Sequence, residues 1–407
     1  MSIESAEQVR LLPERQQDYY LVNAEREARA RGLYDIPIVD TDCHCYETSS
    51  MSEIVQYMEN PNIKRSFQVS SAEFIQATAL PQNIGERTVG GRLKIGGGTD
   101  SETGVHPMDH IEGMHPVAAT TVRSMEALAI DYSILLPTPM LNLGVHPDQD
   151  VQNELMWAFN RWLLEDVLPS DKRLLSMPIL PIHDPDQCVR NIEAFADRPG
   201  VVGFMITCLQ YQPIHRNAYM KVFDAINERE LPLAFHSAPN WMERPFQVLG
   251  RFLGAHALGF PFYAMVQMTN VVLSGLPERF PKIKWIFMEA GQAWVPFTIA
   301  RLDNEYKQRS AEAPLLKRLP SEYIRDFYFS TQPFEDHDDP AHTRYMMDIM
   351  NGAKSLIYSS DYPHQDFDTP ASIWDQKRFT EEEKRAILGE TALDLFNLPR
   401  PKLGNPA

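Results

Sequence analysis

Thiols are scarce in this 407-residue chain: Cys43, Cys45, Cys188 and Cys208 are its only cysteines. Four scattered thiols are too few for a disulfide scaffold and fit a reducing compartment. A basic surplus is missing too. Against 55 acidic residues stand 38 Lys and Arg, a net charge of −17, whereas nucleic acid or an anionic membrane would require the opposite sign. No apolar run nears the roughly 18 residues of a membrane span, and the opening MSIESAEQVR is polar, without the apolar centre of a secretory leader. A cytoplasmic protein with a small-molecule substrate is therefore expected. The Gly-rich piece VGGRLKIGGGTD (89–100) lacks the Gly-Lys-Ser/Thr ending of a phosphate loop, so a flap is the expected role. The chain also lacks a G-x-S-x-G elbow and a dinucleotide fingerprint, which removes serine hydrolases and nicotinamide enzymes from consideration.

What the chain does have is IPIVDTDCHCYE at 36–47, an apolar run that ends in metal-grade side chains. Side chains alternate along a strand, so Asp40, Asp42 and His44 are predicted on one face and Thr41, Cys43 and Cys45 on the other. A buried strand here would collect carboxylates and an imidazole at its C-terminal mouth, where parallel α/β barrels keep their catalytic groups. Residues 1–33 form a charged arm, expected to be helical and to pack on the outside or on a second subunit. Residues 48–120 read as an insertion; His106, His110 and His115 within it are either a metal cluster or solvated loop positions. From Thr121 the chain becomes regular.

Further strands are predicted at Tyr132–Pro137, Leu174–Ile182, Val201–Thr207, Leu231–Ser237, Lys284–Glu289, Phe327–Thr331 and Ser355–Asp361. Helical spacing of Val151, Leu155, Phe159, Leu163 and Val167, and of Tyr219, Val222, Phe223 and Ile226, places helices between them. Thr380 followed by Glu383 is a capping box opening the last helix. Eight strands alternating with helices favour an α/β fold of the closed (β/α)8 TIM type over an open sheet. It would span 34–400 as one domain with a tail at 401–407.

Chemistry gathers at the strand ends. LPLAFHSAPNW ends strand five on His236, KIKWIFMEAGQAW ends strand six on Glu289, and SLIYSSDYPH ends strand eight on Asp361 with His364 on the turn. A carboxylate after Trp-Ile-Phe-Met is hard to bury without a cation. Four strand ends sharing one mouth therefore point to a bound divalent metal. Glu47 adds a carboxylate to the rim and His256 an imidazole. Cys43 and Cys45 face the helices in this arrangement. Arg244, Arg251 and Arg301 could grip a substrate carboxylate, although Arg301 in Arg-Leu-Asp is expected to pair with Asp303 or a neighbour. The Met- and aromatic-rich stretch 260–273 reads as packing between helices.

These residues resemble the amidohydrolase superfamily, in its amidohydrolase-2 or aminocarboxymuconate-semialdehyde-decarboxylase-like branch. The resemblance rests on D-T-D-C-H at 40–44, His236 after LPLAF, the run 276–297, Arg301-Leu302-Asp303, SSDYPH at 359–364 and the closing ILGETALDLF. It implies a metal-dependent barrel with Asp42 and His44 in place of a His-x-His pair, joined by His236 and Asp361. The related decarboxylases usually offer a His on strand six where this chain has Glu289, and the two side chains do different proton chemistry.

Asp42, His44, Glu47, His236, Glu289 and Asp361 are more ligands than one ion needs, and carboxylates bridge paired ions. Some proteins of this superfamily resemble nonhaem diiron monooxygenases of bulky carboxylic acids or acyl thioesters, and that resemblance makes an oxygen-dependent hydroxylase of a hydrophobic acid or acyl compound the leading expectation. It would hold two Fe ions, with Mn or Zn as alternatives, and would draw on an electron donor. Glu289, His256, Asp361 and His364 are the catalytic candidates. A mononuclear hydrolase or decarboxylase is the alternative, and a non-catalytic binding barrel the third reading. A homodimer is expected in each case.

Overall fold

Apolar runs too short to make helices become strands, and the computed structural model arranges eight of them in parallel. They are β1 (Val39–Cys45), β2 (Tyr132–Pro137), β3 (Leu174–Ser176), β4 (Phe204–Thr207), β5 (Pro232–His236), β6 (Lys284–Met288), β7 (Tyr328–Ser330) and β8 (Leu356–Ile357). The structure describes residues 13–69, 109–238, 243–364 and 366–404. The Gly-rich piece at 89–100 and His106 lie outside these residues.

β1-β2-β3 form one parallel ladder and β4 through β8 another. Single bridges close the gap between them at Ser176–Val201 and Ile179–Met205. On the far side the first and last strands meet through three backbone bonds. Thr41 N donates to Tyr358 O (3.0 Å), Asp361 N to Asp42 O (2.8 Å) and His44 N to Tyr362 O (2.7 Å). The result is a closed (β/α)8 barrel.

Helices wrap the outside: α1 (Pro13–Ala30), α2 (Pro116–Leu128), α3 (Gln149–Trp162), α4 (Pro185–Phe195), α5 (Met220–Glu228), α6 (Phe252–Leu273), α7 (Trp294–Arg309) and α8 (Pro340–Met350). The Asp148 carboxylate caps α3 by accepting from Asp150 N (3.0 Å) and Val151 N (3.2 Å). Past Trp162 a wider turn over Leu163–Val167 carries the helix on, which keeps Leu155, Phe159, Leu163 and Val167 buried. The arm helix α1 packs on α2 of its own chain, and Arg31 just beyond it pairs with Asp375 at 2.6 Å. The Thr380–Glu383 capping box forms as predicted, with bonds of 3.2 Å and 2.8 Å.

Strand alternation decides which side chains face the mouth. Phe235, Phe287 and Phe329 lie side by side across β5, β6 and β7. Trp294 of α7 packs edge-on against the latter two rings. That row of phenyls is therefore the helix-facing side, and burying it against α7 sets the register. His236, next along β5, is turned to the opposite, inner side.

Candidate metal centre

Asp42, His44, His236 and Asp361, from β1, β5 and the turn after β8, are all buried. Asp42 Oδ1 stands 3.1 Å from His236 Nε2 and 3.2 Å from His44 Nε2. His44 Nε2 is in turn 3.2 Å from Asp361 Oδ1. One potential ligand atom each of Asp42, His44 and His236 lies within 4.8 Å of the others, and the same holds for His44, Asp361 and His364.

Backbone carbonyls fix which ring nitrogen points inward. His44 Nδ1 lies 2.8 Å from Pro137 O, and His236 Nδ1 lies 2.7 Å from Ser237 O. A carbonyl accepts, so each Nδ1 carries a proton, and it is the Nε2 of each ring that faces the carboxylates, with a lone pair free for a cation when the ring is neutral. Lone pairs facing lone pairs in a dry pocket require positive charge between them. Asp42 Oδ2 and His44 Nε2 are buried with no hydrogen-bond partner among the described residues. Orphaned donors of this chemistry, each held by an outer hydrogen bond, fit a divalent cation.

The titration behaviour expresses the same demand. Burial would lower His44, yet the Asp42 and Asp361 charges hold it well above the ordinary imidazole value. Burial would raise Asp42, but the His236 and His44 imidazoles pull it below the usual carboxylate range. Asp361 is likewise held low against burial by His364 and His44. Without a cation, a proton on imidazole becomes the surrogate positive charge.

Glu289 behaves oppositely. Its Oε2 is 3.5 Å from His236 Nδ1, and burial reinforced by the Asp361 charge pushes its carboxyl well above the usual range. Glu289 thus sits beside the cluster with surroundings that favour its protonated form. It holds a positive φ of 52° just past the end of β6, and its own N–H donates to Ser330 Oγ at 2.9 Å.

The other expected residues are placed differently. Glu47, expected as a ligand, spends both oxygens on backbone: Met140 N donates to Oε1 at 2.6 Å and Thr138 N to Oε2 at 3.0 Å. The short turn at Glu47–Ser50 coils the chain back so that this carboxylate ties down the loop after β2. His364 joins the cluster from the turn, its Nδ1 2.6 Å from Asp361 Oδ1 and its ring stacked on His44 at 4.4 Å. His256 stays out on α6, 3.8 Å from Asp366 and partly exposed. His115 is a helix cap, accepting from Val117 N at 3.2 Å and meeting Glu53 at 2.8 Å; His110 is exposed. Arg301 pairs with Glu305 at 3.4 Å rather than with Asp303. Cys43 packs with Leu21, Ala127 and Tyr362 on the helix side.

One participant escapes a reading by alternation. Asp40 was expected to share a face with Asp42 and His44, but the pairing of β1 with β2 shifts between Asp40 and Cys43. Its carboxylate turns to Ser360 of the β8 loop instead. An Asp two places before a ligand, facing a Ser one place before another, was the available signal.

Residues 105–398 match the family described as Amidohydrolase. The gamma-resorcylate decarboxylase of Polaromonas sp. (strain JS666) is 24% identical over 298 residues, covering 69% of this chain and 87% of that protein. Among solved structures, the 5-carboxyvanillate decarboxylase of Sphingomonas paucimobilis superposes with a TM-score of 0.60 at 19% identity, over 89% of this chain and 100% of that one. That of Novosphingobium aromaticivorans, complexed with manganese and 4-hydroxy-3-methoxy-5-nitrobenzoic acid, gives 0.63 at 16% identity, over 90% and 97%. At such identities the superpositions speak for the fold alone.

These findings correct the expectation of an oxygen-dependent hydroxylase with two irons. The named relatives are decarboxylases. The two ligand groupings share His44, and Glu47, the extra carboxylate invoked for a second ion, belongs to neither. The centre is that of a metal-dependent enzyme with a single divalent cation. No helix among the described residues is long and apolar enough to cross a membrane.

Proposed function

Because the chain belongs to the amidohydrolase superfamily, in its amidohydrolase-2 branch, we propose that it is a metal-dependent decarboxylase of a carboxylate-bearing aromatic acid. The observation that carries this reading is the meeting of Asp42, His44 and His236 in one buried grouping, with Asp361 Oδ1 3.2 Å from the same His44 Nε2 and Glu289 beside them. Those four residues would hold the ion, and manganese is the first metal to test, since a structurally similar decarboxylase was solved with it. When bound, the cation supplies Lewis acidity that neutralises the substrate's oxygens and withdraws charge as the carbon–carbon bond breaks.

The protein's own groups do the rest. Pro137 O and Ser237 O lock the two imidazoles in the tautomer a ligand needs. His364 holds Asp361 in place through its Nδ1. Breaking the bond between ring and carboxylate leaves an electron pair on the ring carbon and releases carbon dioxide. That carbon must then take a proton. A carboxylate at that point would repel the developing charge, whereas a carboxyl kept neutral at ordinary pH donates to it. Glu289 meets this requirement. Its proton passes to the ring carbon, the arene departs, and solvent restores the acid.

A proton donor at this position suits decarboxylation, whereas hydrolysis calls for a base there. The test is to incubate Mn2+-loaded enzyme with ortho-hydroxylated benzoic acids, including 2,6-dihydroxybenzoate and 5-carboxyvanillate. Carbon dioxide and arene are measured together. Equimolar release without oxygen consumption is expected. Hydrolysis of an aryl ester or lactone with no carbon dioxide from any of the acids would overturn the reading.

A further inference from the structure

We propose that Asp40 is a positioning residue: by clasping Ser360 across the closing seam of the barrel, it sets the spacing of Asp42 and Asp361 and so the metal affinity of the site. The inference rests on the ligand set just proposed. Asp40 is itself unsuited to be a ligand, because its oxygens are already engaged. Oδ1 accepts from Ser360 N at 2.8 Å and from Asp42 N at 3.2 Å, and Oδ2 accepts from Ser360 Oγ at 2.6 Å. Ser360 Oγ accepts in turn from Tyr362 N at 3.0 Å. One carboxylate thereby grips Ser360 directly, Tyr362 through the Ser360 hydroxyl, and the backbone of Asp42.

Closing the barrel does not require this arrangement. The backbone bonds between β1 and the β8 segment already join the two edges, and Thr41 Oγ1 adds a bond to Tyr358 O at 2.9 Å on the same seam. A fully buried carboxylate held by neutral donors is an expensive way to join strands. Its distinctive effect is local. Asp361 sits in the left-handed region at φ 61°, a conformation that a non-glycine residue keeps only where its surroundings over-determine it. Gripped from Ser360 and through Ser360 Oγ to Tyr362, the Asp361 side chain is kept aimed at His44 Nε2, 3.2 Å away.

The test measures Mn2+ binding by the loss of the free ion's six-line electron paramagnetic resonance signal, together with the spectrum of the bound ion. Full-length wild type is compared with D40N, S360A, T41V and D361N. D40N and S360A are each expected to weaken binding on the order of 10- to 100-fold and to broaden the bound spectrum, the usual range for a lost outer-sphere partner. T41V, which cuts a seam bond without touching Asp40, is expected to lower the melting temperature and leave affinity and spectrum unchanged. Should D40N fail to fold, S360A carries the comparison, since it retains both carboxylate and backbone donor. Wild-type affinity and spectrum in folded D40N and S360A would overturn the proposal, as would an equal loss in T41V, which would make Asp40 merely structural. D361N separates the two levels: unchanged binding in D361N would remove the ligand set itself.

Discussion

At the scale of single residues, the central distinction is between Asp42 and Asp361, whose surroundings favour the charged form, and Glu289, whose surroundings favour the neutral one. Asp42 and Asp361 face imidazoles and are held low; Glu289 faces Asp361 in a buried position and is held high. A donor role for Glu289 has a definite pH signature. Its proton is present below its raised value and lost as pH climbs through it, so turnover should fall on the alkaline side. Glu289→Gln keeps the shape and cannot donate. It should lower kcat on the order of 10²- to 10⁴-fold while binding Mn2+ normally, because Glu289 belongs to neither ligand grouping. A variant that turns over at the wild-type rate would exclude Glu289 as the donor. The four clustered residues were legible in the sequence because Asp42 and His44 alternate along β1, His236 ends β5 and Asp361 lies on the turn after β8, and the strands of a closed barrel share a mouth. Glu47 and Asp40 were not. Their destinations depend on a turn that coils back and on a one-register shift in β1, neither of which leaves a periodic trace.

Among the secondary-structure elements, order and kind were readable from apolar runs and helical spacing, whereas strand lengths were not. Ser355–Asp361 was expected to be strand throughout, yet only Leu356–Ile357 pairs as one. Ser355 ends a short helix, and beyond Ile357 the chain bonds to β1 at Tyr358 and Asp361 outside any regular ladder, with Asp361 at a positive φ of 61°. Chain turns are anchored by polar groups whose burial has a cost of its own. Asp131, just before β2, accepts from Ile38 N at 2.9 Å while its own N–H donates to Ile38 O at 2.8 Å, pinning the start of β1. Burial outweighs that bond and raises its carboxyl to about 6. A carboxyl raised in the folded state binds its proton more tightly there than in the unfolded chain. The stability it contributes is therefore full below the ordinary value near 4 and is lost as pH rises through about 6. Asp131→Asn should flatten that slope, by about 1 kcal/mol between pH 4.5 and pH 7.5 after discounting for solvent screening. Urea denaturation of both proteins at the two pH values measures it, and parallel pH profiles would show that Asp131 contributes nothing to the slope.

For the molecule as a whole, the site is a clasp between remote parts of the chain. Asp42 and His44 come from its beginning, His236 from the middle and Asp361 from near its end, and only the closed barrel brings them together. An unfolded chain offers no such set, so an ion bound there stabilises the fold by mass action alone. At a free Mn2+ concentration 100 times Kd the gain is about 2.7 kcal/mol, enough to move the melting temperature of a domain this size by a few degrees. Calorimetry with Mn2+ and after chelation should show that difference in the wild type. Asp361→Asn, which removes one arm of the clasp, should lose most of it while unfolding near the chelated wild type. Stoichiometry gives a sharper criterion. His44 has one free lone pair, at Nε2, and both ligand groupings depend on it, so a single ion is expected and the melting temperature should stop its steep rise once one equivalent is bound. A second saturating step near two equivalents would contradict a mononuclear centre, and a chelator without effect would mean that these lone pairs are satisfied by protons alone.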